Sequence, residues 1–151
     1  MSDQSLKERI AEDIKSAMRA KEKERLGTLR LVGAAIKQRE VDERIALDDS
    51  GVLAVLEKML KQRRDSIEQF RKAGRDDLAD KEAAEIAIIG DYMPAALGDA
   101  EIDALIDEAI QSTGASSMKD MGGVMGVLRP KIQGRADMGT VSARIKARLA
   151  P

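Results

Sequence analysis

The residues with the clearest chemical potential are seven cations between positions 119 and 148. From Arg129 onward six basic side chains face one acidic side chain, whereas residues 91–120 carry seven acids and one lysine. Arg144 and Arg148 are four residues apart, so a helix would place them on one face. Clustered Lys and Arg side chains bind phosphates, which predicts a nucleic-acid partner contacted through its backbone. The candidate contact residues are Lys119, Arg129, Lys131, Arg135, Arg144, Lys146 and Arg148.

Side chains suited to catalysis or metal binding are scarce. The chain has no His and no Cys, which excludes a structural zinc site, a cysteine nucleophile and an imidazole base. Glu82 and Glu85 have the spacing of metal–carboxylate bundles, but those sites also need His. We therefore expect these glutamates on a solvated charged face, paired with Lys81 or its neighbours. The sequence predicts no catalytic residues, no metal ion and no cofactor.

A glycine- and methionine-rich segment follows Ser117. The run Gly122-Gly-Val-Met-Gly126 lacks the Gly-Lys-Ser/Thr ending of a phosphate loop, and no strand precedes it. Because glycine weakens a helix, these glycines are expected to mark a close approach between helices. Met118, Met121 and Met125 recur at helical spacing, which fits either a core or an adaptable surface for a partner. Both alternatives stay open.

Helical periodicity runs through nearly the whole chain, and no period-2 run of useful length appears. Four long amphipathic segments precede Pro94, and three shorter ones follow it. The sequence predicts an all-α fold, with an N-terminal bundle of about four long helices over residues 1–94. A small three-helix domain is predicted over residues 95–151. Within it, Ser117 is expected to cap a helix that ends before Pro130.

The composition also bears on the compartment. The chain reaches Lys7, Glu8 and Arg9 before any apolar run, so no signal peptide is visible. The longest uncharged stretch, residues 109–118, is too short and too polar to span a bilayer. We therefore expect a reduced, cytoplasmic location and no membrane partner.

Many short motifs, in order along the chain, resemble those of the YqeY family, and the resemblance covers essentially the whole sequence. The chain departs from the family pattern at Gly123, where members often carry Lys. The matching motifs are Leu29-Arg-Leu31 with Ala35-Ile-Lys37, Lys61-Gln-Arg-Arg-Asp-Ser66, Phe70-Arg-Lys-Ala-Gly-Arg75, Asp77-Leu-Ala79, Lys81-Glu82, Glu85-Ile86, Tyr92-Met-Pro94, Met121-Gly122 with Val124-Met-Gly126, and Gly134-Arg-Ala-Asp137.

The YqeY family is similar to the C-terminal region of the GatB subunit of the tRNA-dependent amidotransferase. That enzyme amidates misacylated Glu-tRNA(Gln) or Asp-tRNA(Asn), with glutamine as the nitrogen donor. The resemblance implies a two-part helical fold and a stand-alone accessory module that binds tRNA and lacks a catalytic centre. Its implied partners are tRNA and either amidotransferase subunits or another translation-related protein.

Two other functions stay open. A carbon–nitrogen ligase activity with glutamine as amido donor would need acidic residues such as Glu82, Glu85 or Asp91, or partner subunits. A helical adaptor would instead bind a protein partner through Met121 and Met125, without using the basic residues.

Overall fold

The computed structural model describes residues 4–150, which contain seven α-helices and no strand, so the predicted all-α class is confirmed. The chain divides into two compact units between Met93 and Pro94, called unit 1 and unit 2 below. None of the described helices is long and apolar enough to cross a membrane. The helices are α1 (Leu6–Arg19), α2 (Lys23–Glu43), α3 (Asp49–Lys72) and α4 (Asp76–Gly90) in unit 1, and α5 (Asp99–Thr113), a 3-10 turn (Met118–Asp120), α6 (Met121–Ile132) and α7 (Met138–Leu149) in unit 2.

Polar side chains and glycines set the ends of several helices. Ser5 caps α1, Asp48 caps α3 and Asp137 caps α7, each through a side-chain oxygen that accepts a backbone N–H three residues on. Gly74 and Gly114 follow α3 and α5 with φ of 72° and 66°, a left-handed conformation that only glycine adopts without strain. These local signals explain the starts of α1, α3 and α7 and the ends of α3 and α5.

Unit 1 has its own aliphatic core. The helix α3 packs along α4, α1 packs along α2, and α2 also contacts α3 and α4. Leu29 and Val32 of α2, Leu56 of α3 and Ile89 of α4 are completely buried there. Tyr92 lies just beyond α4 and is also buried, at 3% exposure. The apolar stripes of four helices therefore meet in one cluster.

Unit 2 has a second, separate core built from shorter helices. Ile106 of α5, Leu128 and Ile132 of α6, and Val141 and Ile145 of α7 are completely buried. The helix α6 contacts both α5 and α7, and α5 also contacts α7. Three short helices thus share one apolar centre.

The prediction that α6 ends before Pro130 is wrong. Pro130 lies inside the helix, which continues to Ile132. A proline in a helix lacks an N–H and removes one backbone hydrogen bond. The helix continues because Leu128 before the proline and Ile132 after it are both completely buried, which holds the last turn in the core of unit 2.

Candidate nucleic-acid interface

Arg144 and Arg148 of α7 lie against a row of aspartates on α5. Asp99, Asp103 and Asp107 are spaced by four residues and share one face of that helix. Arg144 binds Asp99 at 2.9 Å and Asp103 at 2.8 Å, measured from nitrogen to oxygen. Arg148 binds Asp103 at 3.5 Å and also binds Asp107. These five side chains form an alternating row of charges, called the α5–α7 ladder below.

The ladder accounts for much of the uneven charge along the sequence. From Pro94 onward the chain carries seven acidic and seven basic side chains, so the charges of unit 2 balance. The positive C-terminal segment and the negative segment before it meet inside the same unit. The sequence alone did not indicate this pairing, because Asp103 and Arg144 are 41 residues apart.

Two further candidate cations also have partners within unit 2. Lys131 Nζ lies 3.4 Å from a carboxylate oxygen of Glu108. Arg135 donates from Nε to the carbonyl oxygen of Ala95 at 3.1 Å, and its own carbonyl accepts the N–H of Leu97 at 2.8 Å. Four of the seven candidate cations therefore make contacts within their own unit.

The remaining candidates, Lys119, Arg129 and Lys146, make no hydrogen bond or ion pair with any described residue. All three are exposed. Lys119 precedes α6 and Arg129 lies in the last turn of that helix, whereas Lys146 lies on α7. These three cations are the part of the predicted set that is available to an external anion.

Glycines occupy the exposed positions in the first half of α6. Gly122, Gly123 and Gly126 are exposed. A Cβ atom built at any of them would meet no atom of another element within 4 Å. The prediction that these glycines mark a close approach between helices is therefore wrong within unit 2. We refer to these three residues as the glycine face of α6; Lys119 precedes it and Arg129 follows it.

The segment that carries Lys119 is held by Asp120. One carboxylate oxygen of Asp120 accepts the N–H of Ser116 at 2.9 Å and that of Ser117 at 3.1 Å. The hydrogen bond from Ser116, and after it the one from Ser117, hold the pKa of Asp120 below its ordinary value. The N–H of Asp120 in turn donates to the carbonyl oxygen of Ser117 at 3.0 Å, at the start of the 3-10 turn. The turn fixes the backbone on which Lys119 stands.

The glutamate pair of α4 binds an arginine rather than Lys81. Arg63 of α3 donates from Nε to Glu85 at 2.7 Å, and Glu82 lies 4.0 Å from the same nitrogen. The arginine also donates to the carbonyl of Met59. Among the described residues no cluster of His, Cys, Asp and Glu could hold a metal ion. The pair joins α3 to α4.

A partly buried polar cluster surrounds Tyr92 and was not predicted from the sequence. The Tyr92 hydroxyl donates to Asp13 at 2.5 Å, and the Arg9 guanidinium lies 4.7 Å from the centre of the Tyr92 ring. Arg25 lies 3.9 Å from Asp13 and 3.7 Å from Asp91. Burial raises the pKa of Tyr92 well above its ordinary value, and the hydrogen bond to Asp13 is the second largest cause of the rise. Because Tyr92 and Asp13 are 79 residues apart, the only local signal was that Tyr92 is the one tyrosine of the chain.

The methionine stripe divides between core and surface. Met121 and Met125 are partly buried against the core of unit 2. Met118 is 42% exposed. Two of these three methionines thus pack inward, and only Met118 offers a large apolar surface to solvent.

The chain is similar to several fungal proteins that carry the name altered inheritance of mitochondria protein 41, mitochondrial. The relative from Pyrenophora tritici-repentis is 34% identical over 91% of this chain and 77% of its own length. The relative from Lachancea thermotolerans is 39% identical over 74% of this chain, and that from Eremothecium gossypii is 41% identical over 57%. These two matches span 63% and 48% of the relatives' own lengths.

The names of these relatives contradict the expected cytoplasmic location, because they point to mitochondria. The expectation rested on the charged residues near Lys7, which argue against a secretory signal peptide but do not distinguish the cytoplasm from mitochondria.

A comparison with models of protein families identifies the family of the chain. The family model described as YqeY-like protein matches residues 7–149, and the chain therefore belongs to the YqeY-like family.

Proposed function

We propose that this chain is an accessory module without a catalytic centre of its own, and that it binds tRNA through unit 2. The observation that carries the proposal is the set of cations that have no partner among the described residues, Lys119, Arg129 and Lys146. The resemblance of the family to the tail region of GatB, in a tRNA-dependent amidotransferase, supports tRNA as the nucleic acid.

The contact surface in this proposal is the glycine face of α6 with the cations around it. Positions without side chains let a sugar–phosphate backbone come close to the helix, within reach of flanking cations that bind phosphate oxygens. Lys119 and Arg129 stand on either side of this face along the chain, and Lys146 adds a third charge from α7. The α5–α7 ladder is not part of this surface, because its arginines are bound to aspartates.

The salt dependence of binding tests the number of contacts. Bulk tRNA, labelled and titrated with the full chain, is expected to bind about 20- to 40-fold more weakly at about 200 mM salt than at about 50 mM, the value for three phosphate contacts. Affinity that does not change with salt would contradict the proposal.

A matched pair of variants tests which cations of the chain contact the tRNA. Lys119→Gln, Arg129→Gln and Lys146→Gln together are expected to flatten the salt dependence and to weaken binding at low salt by at least about tenfold. The control is Lys58→Gln, Lys61→Gln and Arg64→Gln, which removes the same charge from exposed positions on α3 that make no hydrogen bond or ion pair with described residues. Circular dichroism melts verify that both variants are folded. Equal losses in the two variants would overturn the proposed site.

A further inference from the structure

The solvent side of α2 carries a second stripe of small and apolar residues, interrupted at Gln38. Gly27, Leu31, Ala34, Gln38 and Val41 follow one another at alternating spacings of four and three residues, and all are exposed. That spacing is the seam of a coiled coil, in which the residues contact a second helix. The opposite side of α2 is used by the core of unit 1, where Leu29, Val32 and Ile36 are buried.

Two large apolar side chains of this stripe are exposed. Leu31 is 49% exposed and Val41 is 64% exposed, and Ile45, just beyond the end of α2, is 52% exposed. Met18 and Met118 are the other exposed large hydrophobic residues among those described, so α2 is the only described helix that carries two of them. Gly27 and Ala34 are small, which leaves room for another helix to approach closely.

Basic residues flank the stripe on one side. Arg30 and Lys37 are seven residues apart, so they recur at the same position of the heptad beside the seam. Neither makes a hydrogen bond or ion pair with the described residues. In an antiparallel pair of copies these two cations would face the same cations of the second copy, which disfavours that arrangement. On the other side Asp42 is engaged by Gln38 at 2.8 Å.

We propose that the solvent face of α2 binds an amphipathic helix of a partner protein that carries apolar residues along its seam and acidic residues beside it. The apolar stripe supplies the buried contact, and Arg30 and Lys37 select an acidic flank. This surface belongs to unit 1, so it is independent of the tRNA site proposed for unit 2.

The test uses two synthetic helical peptides of about 20 residues with Leu at the seam positions. One carries Glu at every flanking position and the other carries Lys, so that like charges keep each peptide from associating with itself. Fluorescence anisotropy with the full chain, up to about 1 mM, is expected to show at least tenfold tighter binding of the Glu peptide. Equal affinities, or no binding of the Glu peptide, would overturn the proposal.

Two sets of variants locate the contact. Leu31→Gln with Val41→Gln keeps the charge of α2 and is expected to abolish binding, whereas Met118→Gln, at a similarly exposed residue of unit 2, is expected to leave it unchanged. Arg30→Glu with Lys37→Glu is expected to reverse the preference toward the Lys peptide. The control for that reversal, Lys58→Glu with Lys61→Glu on α3, is expected to keep the preference for Glu.

Two results would overturn this inference. One is binding of the Glu peptide that survives Leu31→Gln with Val41→Gln in a folded protein. The other is a stable dimer in analytical ultracentrifugation that the same variant dissociates, because the stripe would then belong to a second copy of the chain.

Discussion

Units 1 and 2 both bind basic side chains to acidic ones, but the contacts lie in different surroundings. In unit 1 the side chains of Arg63 and Glu85 are only 13% and 15% exposed. In unit 2 the α5–α7 ladder lies at the surface, with Asp99 83% exposed and Asp107 60% exposed. Water screens the ladder far more than it screens the pair in unit 1. The same chemistry therefore contributes more to stability at the shielded Arg63–Glu85 pair than in the ladder, where it mainly balances charge.

The difference also bears on which cations remain available to a partner. Unit 2 uses four of its seven basic side chains internally, and Lys119, Arg129 and Lys146 remain without a partner among the described residues. A count of charge along the sequence treats all seven as equivalent. The geometry separates the cations that hold the fold from those that can act on another molecule.

The largest effect is expected from the shielded pair. Arg63→Met should lower the free energy of unfolding by about 2 kcal/mol, because Glu82 and Glu85 would lose their cation in a poorly solvated place. Urea unfolding measures the change. Arg64→Met, one residue along and exposed without a described partner, is the control and should change little. Similar losses in the two variants would contradict the contrast drawn between the units.

The buried hydroxyl of Tyr92 should give the next largest effect. Tyr92→Phe leaves Asp13 without its hydroxyl donor and is expected to cost about 1–2 kcal/mol at neutral pH. Folding raises the pKa of Tyr92 above its value in the unfolded chain, which is about 10. The stabilisation is therefore complete below about pH 10 and is lost as the pH rises through the higher pKa of the folded state. Urea unfolding at neutral and strongly alkaline pH should therefore show the difference between wild type and variant shrinking above about pH 10. A difference in stability that stays constant with pH would contradict the role of the Tyr92 hydroxyl.

A substitution on the glycine face of α6 should raise the stability of the protein rather than lower it. Gly126→Ala is expected to stabilise the protein by up to about 1 kcal/mol, because alanine favours helix and nothing from another element lies within 4 Å of the new methyl group. Thermal melts measure this gain. Gly114→Ala, at a left-handed position, serves as the control and should destabilise. If the face binds tRNA, Gly126→Ala should also weaken that binding while raising the melting temperature.

The smallest effect is expected in the α5–α7 ladder. Arg144→Met should cost less than about 1 kcal/mol, and the cost should fade at high salt, because its aspartates are well solvated. Urea unfolding of this variant and of Arg63→Met, at low and high salt, compares the two units directly. A loss at Arg144 that is large and insensitive to salt would show that the ladder is more shielded than its exposure indicates.

The helices could be predicted from the sequence because their signals are local. Asp48 and Gly74 mark the two ends of α3, and the buried residues Leu29, Val32 and Ile36 recur at helical spacing on α2. The end of α6 could not be predicted, because burial of Ile132 outweighs the effect of Pro130. The exposed stripe through Leu31 and Val41 was hidden, since apolar residues on both sides of α2 weaken its periodicity.

The candidate site could be predicted only as a set of residue types. The sequence places seven cations near one another in unit 2, and their role as RNA contacts stays a prediction. Which of them have internal partners depends on contacts between α5 and α7, far apart along the chain. The partners of Tyr92 and of Glu85 could not be predicted either, because neither Asp13 nor Arg63 is a near neighbour in sequence.

The α5–α7 ladder has one more consequence, because its charges repeat every four residues on both helices. If α7 slid along α5 by one turn, about 5.4 Å, Arg144 would meet Asp103 and Asp107 instead of Asp99 and Asp103. Charge pairing alone therefore does not determine the axial register of the two helices, and a contact that does not repeat must do so. The hydrogen bond from the N–H of Leu97 to the carbonyl of Arg135 is such a contact, since it joins the residues just before α5 to those just before α7. The ladder attracts the two helices, and this bond, together with the one from Arg135 Nε to the carbonyl of Ala95, favours one axial register over the others.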